Sequence, residues 1–333
     1  MSVDFKIKLD EYISNGDYNN YFILLTNLAD EGHHKFQKQL GTDYHNKLFK
    51  KQIYNEELVT YYKKCSEGFH SYSITHLGYM YYYGIGVDKN ISKAIELFEQ
   101  AIKLGNKAEG TSAVRNAMGG LAFIYEEAKN IPKAIELYEQ AIKLGNKAEG
   151  TSAVRNAMGN LAFIYEEYKN IPKAIELYEQ LIKLGDSKAM NALAIIYENK
   201  GNNSKSIELY EQAIKLGDSY AMTNLATICL TDNNTPKAIE LYEQAIILEN
   251  SSAMNNLAII YENKGNSSKA IELYERAIKL GNPKAMNNLA IIYKNNGNIS
   301  KAIELYEQAI KLGNRNAMYN LAIIYATEIT EHC

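Results

Sequence analysis

One seven-residue pattern recurs seven times in this sequence and limits the possible folds more than any other feature. It reads Lys-Ala-Ile-Glu-Leu-Tyr-Glu in most copies, and a second segment resembling Asn-Leu-Ala-Ile-Ile-Tyr lies between successive copies. Repetition at such a period indicates an array in which each unit is one supersecondary element. The copies are spaced by 40, 40, 32, 32, 32 and 32 residues and begin at Lys93, Lys133, Lys173, Lys205, Lys237, Lys269 and Lys301.

Both segments have the apolar spacing of helices. In the copy at residues 270–278 the apolar residues fall on one helix face, and strict two-residue alternation is absent. Prolines stand where the first turn of a helix tolerates them, at Pro132, Pro172 and Pro236. Glycines follow the second helix of most units and are predicted to end it in the left-handed conformation, at Gly105, Gly145, Gly185, Gly217, Gly281 and Gly313.

A two-helix unit of this size cannot bury its apolar face alone, so successive units must stack. The sequence therefore predicts an all-α fold, an α-solenoid of stacked antiparallel helix pairs. Seven pairs are predicted over residues 70–312, and residues 313–333 are predicted to form a C-terminal capping helix. Residues 1–69 are more divergent and are predicted to form a helical N-terminal cap with a degenerate repeat, although an independent domain is the alternative.

Two adjacent units are almost identical. Residues 105–144 and 145–184 differ only at Gly120/Asn160, Ala128/Tyr168 and Ala141/Leu181, which indicates a recent tandem duplication. Each carries eight extra residues before its first helix. The insertion forms either a protruding loop or a longer first helix.

The first complete unit resembles a Sel-one-like (Sel1-like) repeat. The residues that carry the resemblance are Leu77-Gly78-Tyr79-Met80-Tyr81, Gly84-Ile85-Gly86-Val87-Asp88, Lys93-Ala94, Ala101-Ile102 and Gly105. These repeats are a subclass of the tetratricopeptide (TPR) repeat with an extended glycine turn. Later copies lack that turn and are nearer the plain TPR pattern. The resemblance spans roughly residues 70–325 and implies a right-handed superhelix with roles in protein assembly and signalling.

Charge and apolar run length argue against two classes of partner. The 36 Lys+Arg against 39 Asp+Glu give a net charge of -3, without the basic excess of nucleic-acid binders, so no nucleic-acid partner is expected. Apolar runs such as 257–261 have five residues, and the longest, such as 192–197, have six, so no membrane partner is expected. The first residues lack a signal-peptide pattern, which favours a cytoplasmic location.

No residue pattern indicates catalysis. The six histidines lack the offsets of a metal-binding helix, and the three cysteines are too widely spaced for a zinc site. Gly84 and Gly86 begin a glycine fingerprint, but no strand precedes them and the third glycine is missing. The sequence therefore predicts no catalytic residue, no metal, no cofactor and no small-molecule substrate.

A row of asparagines is the predicted binding surface. Each precedes a leucine of a first helix: Asn160, Asn224, Asn256, Asn288 and Asn320. In TPR proteins the first helix lines a concave groove, and the matching position grips the backbone of a bound segment. An amide has donors and an acceptor, so it can pair with a peptide unit of any sequence. Asn263 and Asn295 extend the row, and the flanking residues expected to give specificity are Lys188, Lys284, Tyr220, Phe123, Phe163 and Glu262.

The asparagine row has a second explanation. Duplication copies any residue periodically, and an asparagine at this position can simply bond a neighbouring helix. Gly120 and Ala192 also interrupt the row.

The sequence favours a non-enzymatic scaffold or adaptor that binds a partner protein or extended peptide in the concave groove. The alternatives are a self-associating structural protein, a regulatory subunit of an enzyme complex, and an RNA-binding solenoid. The sequence specifies neither the partner nor the oligomeric state.

Overall fold

The computed structural model describes residues 71–105, 111–145 and 152–331, with five isolated residues at positions 11, 59, 62, 63 and 66. The predicted N-terminal cap, residues 1–69, lies outside the described residues except at those five positions. Every regular element in the described ranges is an α-helix, 15 in all, and none is a strand. The predicted all-α fold of packed helix pairs is confirmed.

The helices alternate between first and second members of pairs. The first helices are α1 (Ser71–Tyr83), α3 (Thr111–Glu127), α5 (Ser152–Glu167), α7 (Ser187–Asn199), α9 (Ser219–Thr231), α11 (Ser251–Asn263) and α13 (Pro283–Asn295). The second helices are α2 (Ile91–Gly105), α4 (Ile131–Leu144), α6 (Ile171–Lys183), α8 (Asn203–Lys215), α10 (Thr235–Ile247), α12 (Ser267–Lys279) and α14 (Ile299–Lys311). The last helix, α15 (Arg315–Glu331), has the sequence of a first helix.

The chain divides into two compact units. The N-terminal unit ends at Leu184 and contains α1 to α6, and the C-terminal unit begins at Gly185 and contains α7 to α15. Within each unit the two helices of a pair pack together, and each pair packs against the next.

The second helices supply the repeated core of each unit. Ala270 near the start of α12 and Tyr274 four residues later are both fully buried. Because residues four apart share a helix face, this pair points into the same interface. The same alanine and aromatic positions recur in the other copies, as in Ala94 and Phe98. An aromatic side chain buries ~150–250 Å², so this position contributes strongly to each interface.

Asparagine and aspartate side chains cap the N-termini of the helices in the C-terminal unit. Asn250 Oδ1 accepts a hydrogen bond from the Ala253 backbone N–H at 3.0 Å, and Asn266 Oδ1 accepts one from the Lys269 N–H at 3.2 Å. Each such N-cap stabilises a helix by about 1 kcal/mol. Part of the asparagine content of the sequence therefore reflects helix capping. The same role falls to Asp186, Asn202, Asp218, Asn234, Asn282, Asn298 and Asn314.

The predicted left-handed glycines are confirmed at four of six positions, with φ from 76° to 82° at Gly185, Gly217, Gly281 and Gly313. The prediction was wrong for Gly105, which is the last residue of α2, and for Gly145, whose φ is -84°. The eight extra residues follow these two glycines, so five or six residues separate each of them from the next first helix, whereas one residue does so after the other four glycines.

The insertion lengthens the first helices that follow it. Helices α3 and α5 have 17 and 16 residues, whereas α7, α9, α11 and α13 have 13 each. The gain is about one helical turn. Among the described helices none is long and apolar enough to span a membrane.

Candidate functional site

In the C-terminal unit the predicted residues share one face of the first helices. Lys284, Asn288, Ile291 and Asn295 follow one another on α13 at steps of four, three and four residues, which keeps them on one side of the helix. Lys284 and Asn295 are exposed, and Asn288 is half-buried. We call this surface the asparagine face; it comprises Lys188, Tyr220, Asn224, Asn256, Asn263, Lys284, Asn288, Asn295 and Asn320.

Three amides of this face bond to the preceding first helix. Asn288 Nδ2 donates to Asn255 Oδ1 at 3.0 Å, and Asn320 Nδ2 donates to Asn287 Oδ1 at 2.9 Å. On α9 the Asn224 Nδ2 donates in the same way to an acceptor on α7, the Asn191 Oδ1, at 2.9 Å. These amides therefore fasten consecutive first helices together, as the second explanation of the asparagine row proposed.

Neighbouring asparagines extend these bonds along the unit. Asn287 Nδ2 donates to Asn288 Oδ1 at 3.3 Å, and Asn255 Nδ2 donates to Asn256 Oδ1 at 3.2 Å. With the bonds from Asn320 to Asn287 and from Asn288 to Asn255, they form one continuous chain from α15 to α11. We call this chain the amide relay.

The amide relay ends on hydroxyl groups. Asn256 Nδ2 donates to Tyr242 Oη at 3.5 Å, and Tyr242 Oη lies 3.1 Å from Thr227 Oγ1. Because the Thr227 hydroxyl donates to the Thr223 carbonyl at 3.0 Å, the Tyr242 hydroxyl is the donor to Thr227. The relay therefore passes from the first helix α11 to the second helix α10 and back to the first helix α9.

The acceptors Asn191, Asn255 and Asn287 were not predicted from the sequence. A signal for two of them is present, because a doubled Asn-Asn precedes both Leu257 and Leu289 at the repeat period.

In the N-terminal unit the row has one member. Asn160 Nδ2 donates to Tyr138 Oη at 3.1 Å. The equivalent residue of the preceding first helix is Gly120, and a Cβ there would lie 2.8 Å from Cζ of Phe98. Phe98 has no hydroxyl to pair with an amide, so both space and a partner are missing at this position. Phe123 and Phe163, predicted to flank the groove, are exposed.

Buried tyrosine hydroxyls bond to glutamates of the first helices. Tyr274 Oη donates to Glu262 Oε2 at 2.9 Å, and Tyr210 Oη donates to Glu198 Oε2 at 2.8 Å. Burial, with the adjacent carboxylate, raises the pKa of both tyrosines. Glu262 was predicted to give specificity, and one of its oxygens is used by this bond. Tyr138 and Tyr178 make the same bond to Glu126 and Glu166.

No group of three His, Cys, Asp or Glu side chains in the described ranges is arranged to hold a metal ion. Cys229 is a buried free thiol, and burial raises its pKa.

Family models match most of the repeat region. The Sel1 repeat model matches residues 71–106. Tetratricopeptide repeat models match residues 113–187, 169–221, 223–285 and 283–313. A search of curated protein sequences finds no match.

Solved structures of helical repeat proteins share the fold. The protective antigen c5321 of uropathogenic Escherichia coli, which displays an SLR fold, is 23% identical with a TM-score of 0.54, over 91% of this chain and 66% of that protein. Yeast Tom70 is 17% identical with a TM-score of 0.59, over 91% and 61% of the two chains. Human IFIT1, solved as a dimer with m7Gppp-AAAA, is 16% identical with a TM-score of 0.52, over 93% and 81%. The chain thus spans about two thirds of the first two proteins.

Proposed function

Because the chain belongs to the Sel1-like repeat proteins of the tetratricopeptide superfamily, we propose that it is a non-enzymatic scaffold that binds a partner protein or an extended peptide along its asparagine face. Proteins with these repeats generally act as protein-interaction scaffolds. The observation that carries the proposal is the repeated register of this face. Tyr220 and Lys284 are exposed at the second position of their helices, and each precedes a half-buried asparagine by one helical turn.

The asparagines keep bonding capacity for a ligand. A side-chain amide has two N–H donors and an oxygen with two lone pairs. Asn288 uses one N–H toward Asn255 and one lone pair toward Asn287. Its second N–H lies toward the Tyr274 hydroxyl, and because Asn288 is half-buried rather than buried, its second lone pair is available to a peptide unit. In this proposal the amide relay sets the spacing of these groups along the ligand.

The exposed residues of the face are proposed to select the ligand. Tyr220 is 64% exposed, and Lys188 and Lys284 are exposed. An exposed aromatic ring and two ammonium groups favour a segment that carries apolar and acidic side chains.

The expectation of no nucleic-acid partner remains a prediction. The net charge of -3 supports it. Human IFIT1, however, shares the fold and was solved with m7Gppp-AAAA. Filter binding of m7Gppp-AAAA at low and high salt tests the exclusion directly, and retention on the filter that falls with salt would contradict it.

Self-association through α15 is the second candidate function. Met286 on α13 packs in a core cluster with residues of α14 and is 6% exposed. The equivalent Met318 on α15 is 58% exposed. Tyr325 on the same helix is 44% exposed. Sedimentation at micromolar concentration tests this candidate, with Met318→Glu as the disrupting variant.

The test of the scaffold proposal is affinity capture with two matched triple variants. One changes the asparagine face, Lys188→Ala/Tyr220→Ala/Lys284→Ala, and the other changes exposed residues of second helices, Lys215→Ala/Ile247→Ala/Lys311→Ala. All six side chains are exposed, so both variants are expected to fold, which circular dichroism verifies.

We expect proteins captured by the parent chain to be retained by the second-helix variant and lost from the asparagine-face variant. A purified captured protein should then bind the parent chain directly, with an affinity that falls by about tenfold or more in the asparagine-face variant. Equal capture by both variants would contradict the proposed surface.

A further inference from the structure

A cavity of about 320 Å³ lies in the N-terminal unit, bordered by α1, α3 and α5. Pockets for small ligands occupy roughly 300–1,000 Å³ and are lined mostly by apolar and aromatic groups. Much of this wall is aromatic: Tyr79, Tyr82, Tyr83, Phe98, Phe123 and Tyr138. The cavity belongs to a different unit from the C-terminal asparagine face, and nothing proposed above assigns a ligand to it.

The cavity arises from the interruption of the asparagine row. In α5 the amide of Asn160 reaches Tyr138, but in α3 the equivalent residue is Gly120. Phe98 takes the core position that a tyrosine occupies in later copies, and its ring lies directly against Gly120. Beside it, a Cβ on Gly119 would meet nothing within 4 Å. The missing side chains leave space between consecutive first helices.

One wall of the cavity carries a buried cation with unused donors. Arg115 is 7% exposed and lines the cavity. Its Nη1 donates to the Leu144 carbonyl over a long 3.4 Å, and its Nε has no hydrogen-bond partner. No carboxylate of the described residues pairs with it. A guanidinium stays charged at every physiological pH, and arginines this buried are almost always paired. Within the described ranges Arg115 therefore has no counter-anion.

We propose that this cavity binds a carboxylate on an aromatic or aliphatic stem. The Arg115 guanidinium donates to the carboxylate oxygens, and the stem lies against the rings of Tyr82, Tyr83 and Phe123. A carboxylate fits because its single charge is balanced by one guanidinium, which matches it in planar, bidentate geometry. A phosphate dianion would keep an uncompensated charge beside apolar rings, which is unfavourable.

The rings are held in place for this role. Tyr79 Oη donates to the Asn116 carbonyl at 2.9 Å, and Tyr82 Oη donates to Glu127 Oε2. Tyr82 also packs edge-on against Phe123, with ring centroids 6.0 Å apart. The aromatic wall therefore exists before a ligand enters, and preorganisation of this kind lowers the entropic cost of binding.

The carboxylate has two possible sources, a small organic acid and the C-terminus of a peptide, and calorimetric titration separates them. The probes are 3-phenylpropionate and its neutral amide, together with acetyl-Ala-Ala-Phe as the free acid and as the C-terminal amide. We expect each acid to bind about tenfold or more tightly than its amide. Tighter binding of the peptide acid assigns the site to a polypeptide terminus, and tighter binding of 3-phenylpropionate assigns it to a small acid.

The tandem duplication supplies matched controls. Arg155 and Phe163 are the counterparts of Arg115 and Phe123 in the next unit, and neither lines the cavity. We expect Arg115→Gln to weaken the acids about tenfold or more, and Arg155→Gln to leave them within about twofold. Phe123→Ala should likewise weaken both acids more than Phe163→Ala does.

Three results would overturn the proposal: acids and amides that bind equally, acid binding that is unchanged by Arg115→Gln, or a folded parent chain that binds none of the four probes. Circular dichroism verifies folding. If Arg115→Gln does not fold, the proposal is tested by comparing acid binding in Phe123→Ala and Phe163→Ala. Both side chains are exposed, so both variants are expected to fold.

Discussion

The amide of Asn288 donates to the side-chain oxygen of Asn255 at 3.0 Å and so joins two consecutive first helices. Asn255 is buried, and its side-chain oxygen accepts no other hydrogen bond within the amide relay. A side chain predicted to serve a ligand is thus also part of the structure that holds the array together.

Asn288→Ala should destabilise the C-terminal unit by about 1–3 kcal/mol, because it leaves the buried Asn255 oxygen and the buried Asn287 amide without partners. Repeat arrays unfold in parts, so hydrogen exchange of the α11 and α13 backbone amides is the appropriate measurement. Asn263→Ala, at an exposed helix end, is the control and should change exchange little. Equal protection in both variants would show that the relay contributes no stability.

Ser206→Ala should stabilise the protein by about 1 kcal/mol. The Ser206 hydroxyl is fully buried and faces the Tyr210 hydroxyl without forming a well-aligned hydrogen bond, whereas alanine fills this position in the other copies. The reciprocal change, Ala238→Ser, should destabilise by a similar amount. Chemical denaturation of the three proteins tests this, and a Ser206→Ala variant less stable than the parent would contradict it.

Tyr306 and Tyr274 should respond differently to loss of the hydroxyl. Tyr274 bonds to Glu262, but the residue twelve positions before Tyr306 is Lys294, and the buried Tyr306 hydroxyl has no partner. Tyr306→Phe should therefore be neutral or stabilising, while Tyr274→Phe should cost about 1–2 kcal/mol. Thermal unfolding of the two variants measures the difference. Similar losses in both would mean that Tyr306 has a partner after all.

Folding stability should fall steeply above pH 10. Burial raises the pKa of Tyr79 to about 12, and burial with a neighbouring carboxylate raises that of Tyr178 and Tyr210. A raised folded-state pKa means that the unfolded chain releases the proton first. The stabilisation is therefore complete below pH ~10 and is lost as the pH rises toward the folded-state values.

Each such tyrosine reduces the free energy of unfolding by about 1.4 kcal/mol per pH unit in that window. Urea titrations between pH 8 and 11.5, with tyrosinate absorbance followed in parallel, measure the effect. Tyr210→Phe removes one of these groups and should make the decline shallower. A stability that is constant across this range would refute the assignment of the buried tyrosines.

Periodicity made the helix pairs predictable. Residue spacing determines which side chains share a helix face, and Leu257 and Ala258 are buried as that spacing requires. The prediction of a left-handed glycine after the second helix is correct at Gly217 and wrong at Gly145. A left-handed cap depends on the connection that follows it and not on the residue alone.

The candidate site was predictable only in part. The register of the asparagines follows from sequence, but their acceptors do not, because the distance between two packed helices decides whether Asn288 reaches Asn255. The cavity at Arg115 depends on Gly120 and Phe98, which are 22 residues apart in sequence and meet only in the folded unit.

The amide relay also has a direction. Starting from Asn320, each side-chain N–H donates to the next member of the relay. The last donor, the Thr227 hydroxyl, donates to the Thr223 carbonyl. Aligned dipoles of this kind polarise one another, so each bond strengthens the next. On α15 the acceptor position held by Asn255 and Asn287 in the preceding first helices is Tyr319, so the first donor of the relay is Asn320. Helices α9, α10, α11, α13 and α15 of this unit are therefore joined by a series of bonds of one polarity that begins at the side chain of Asn320.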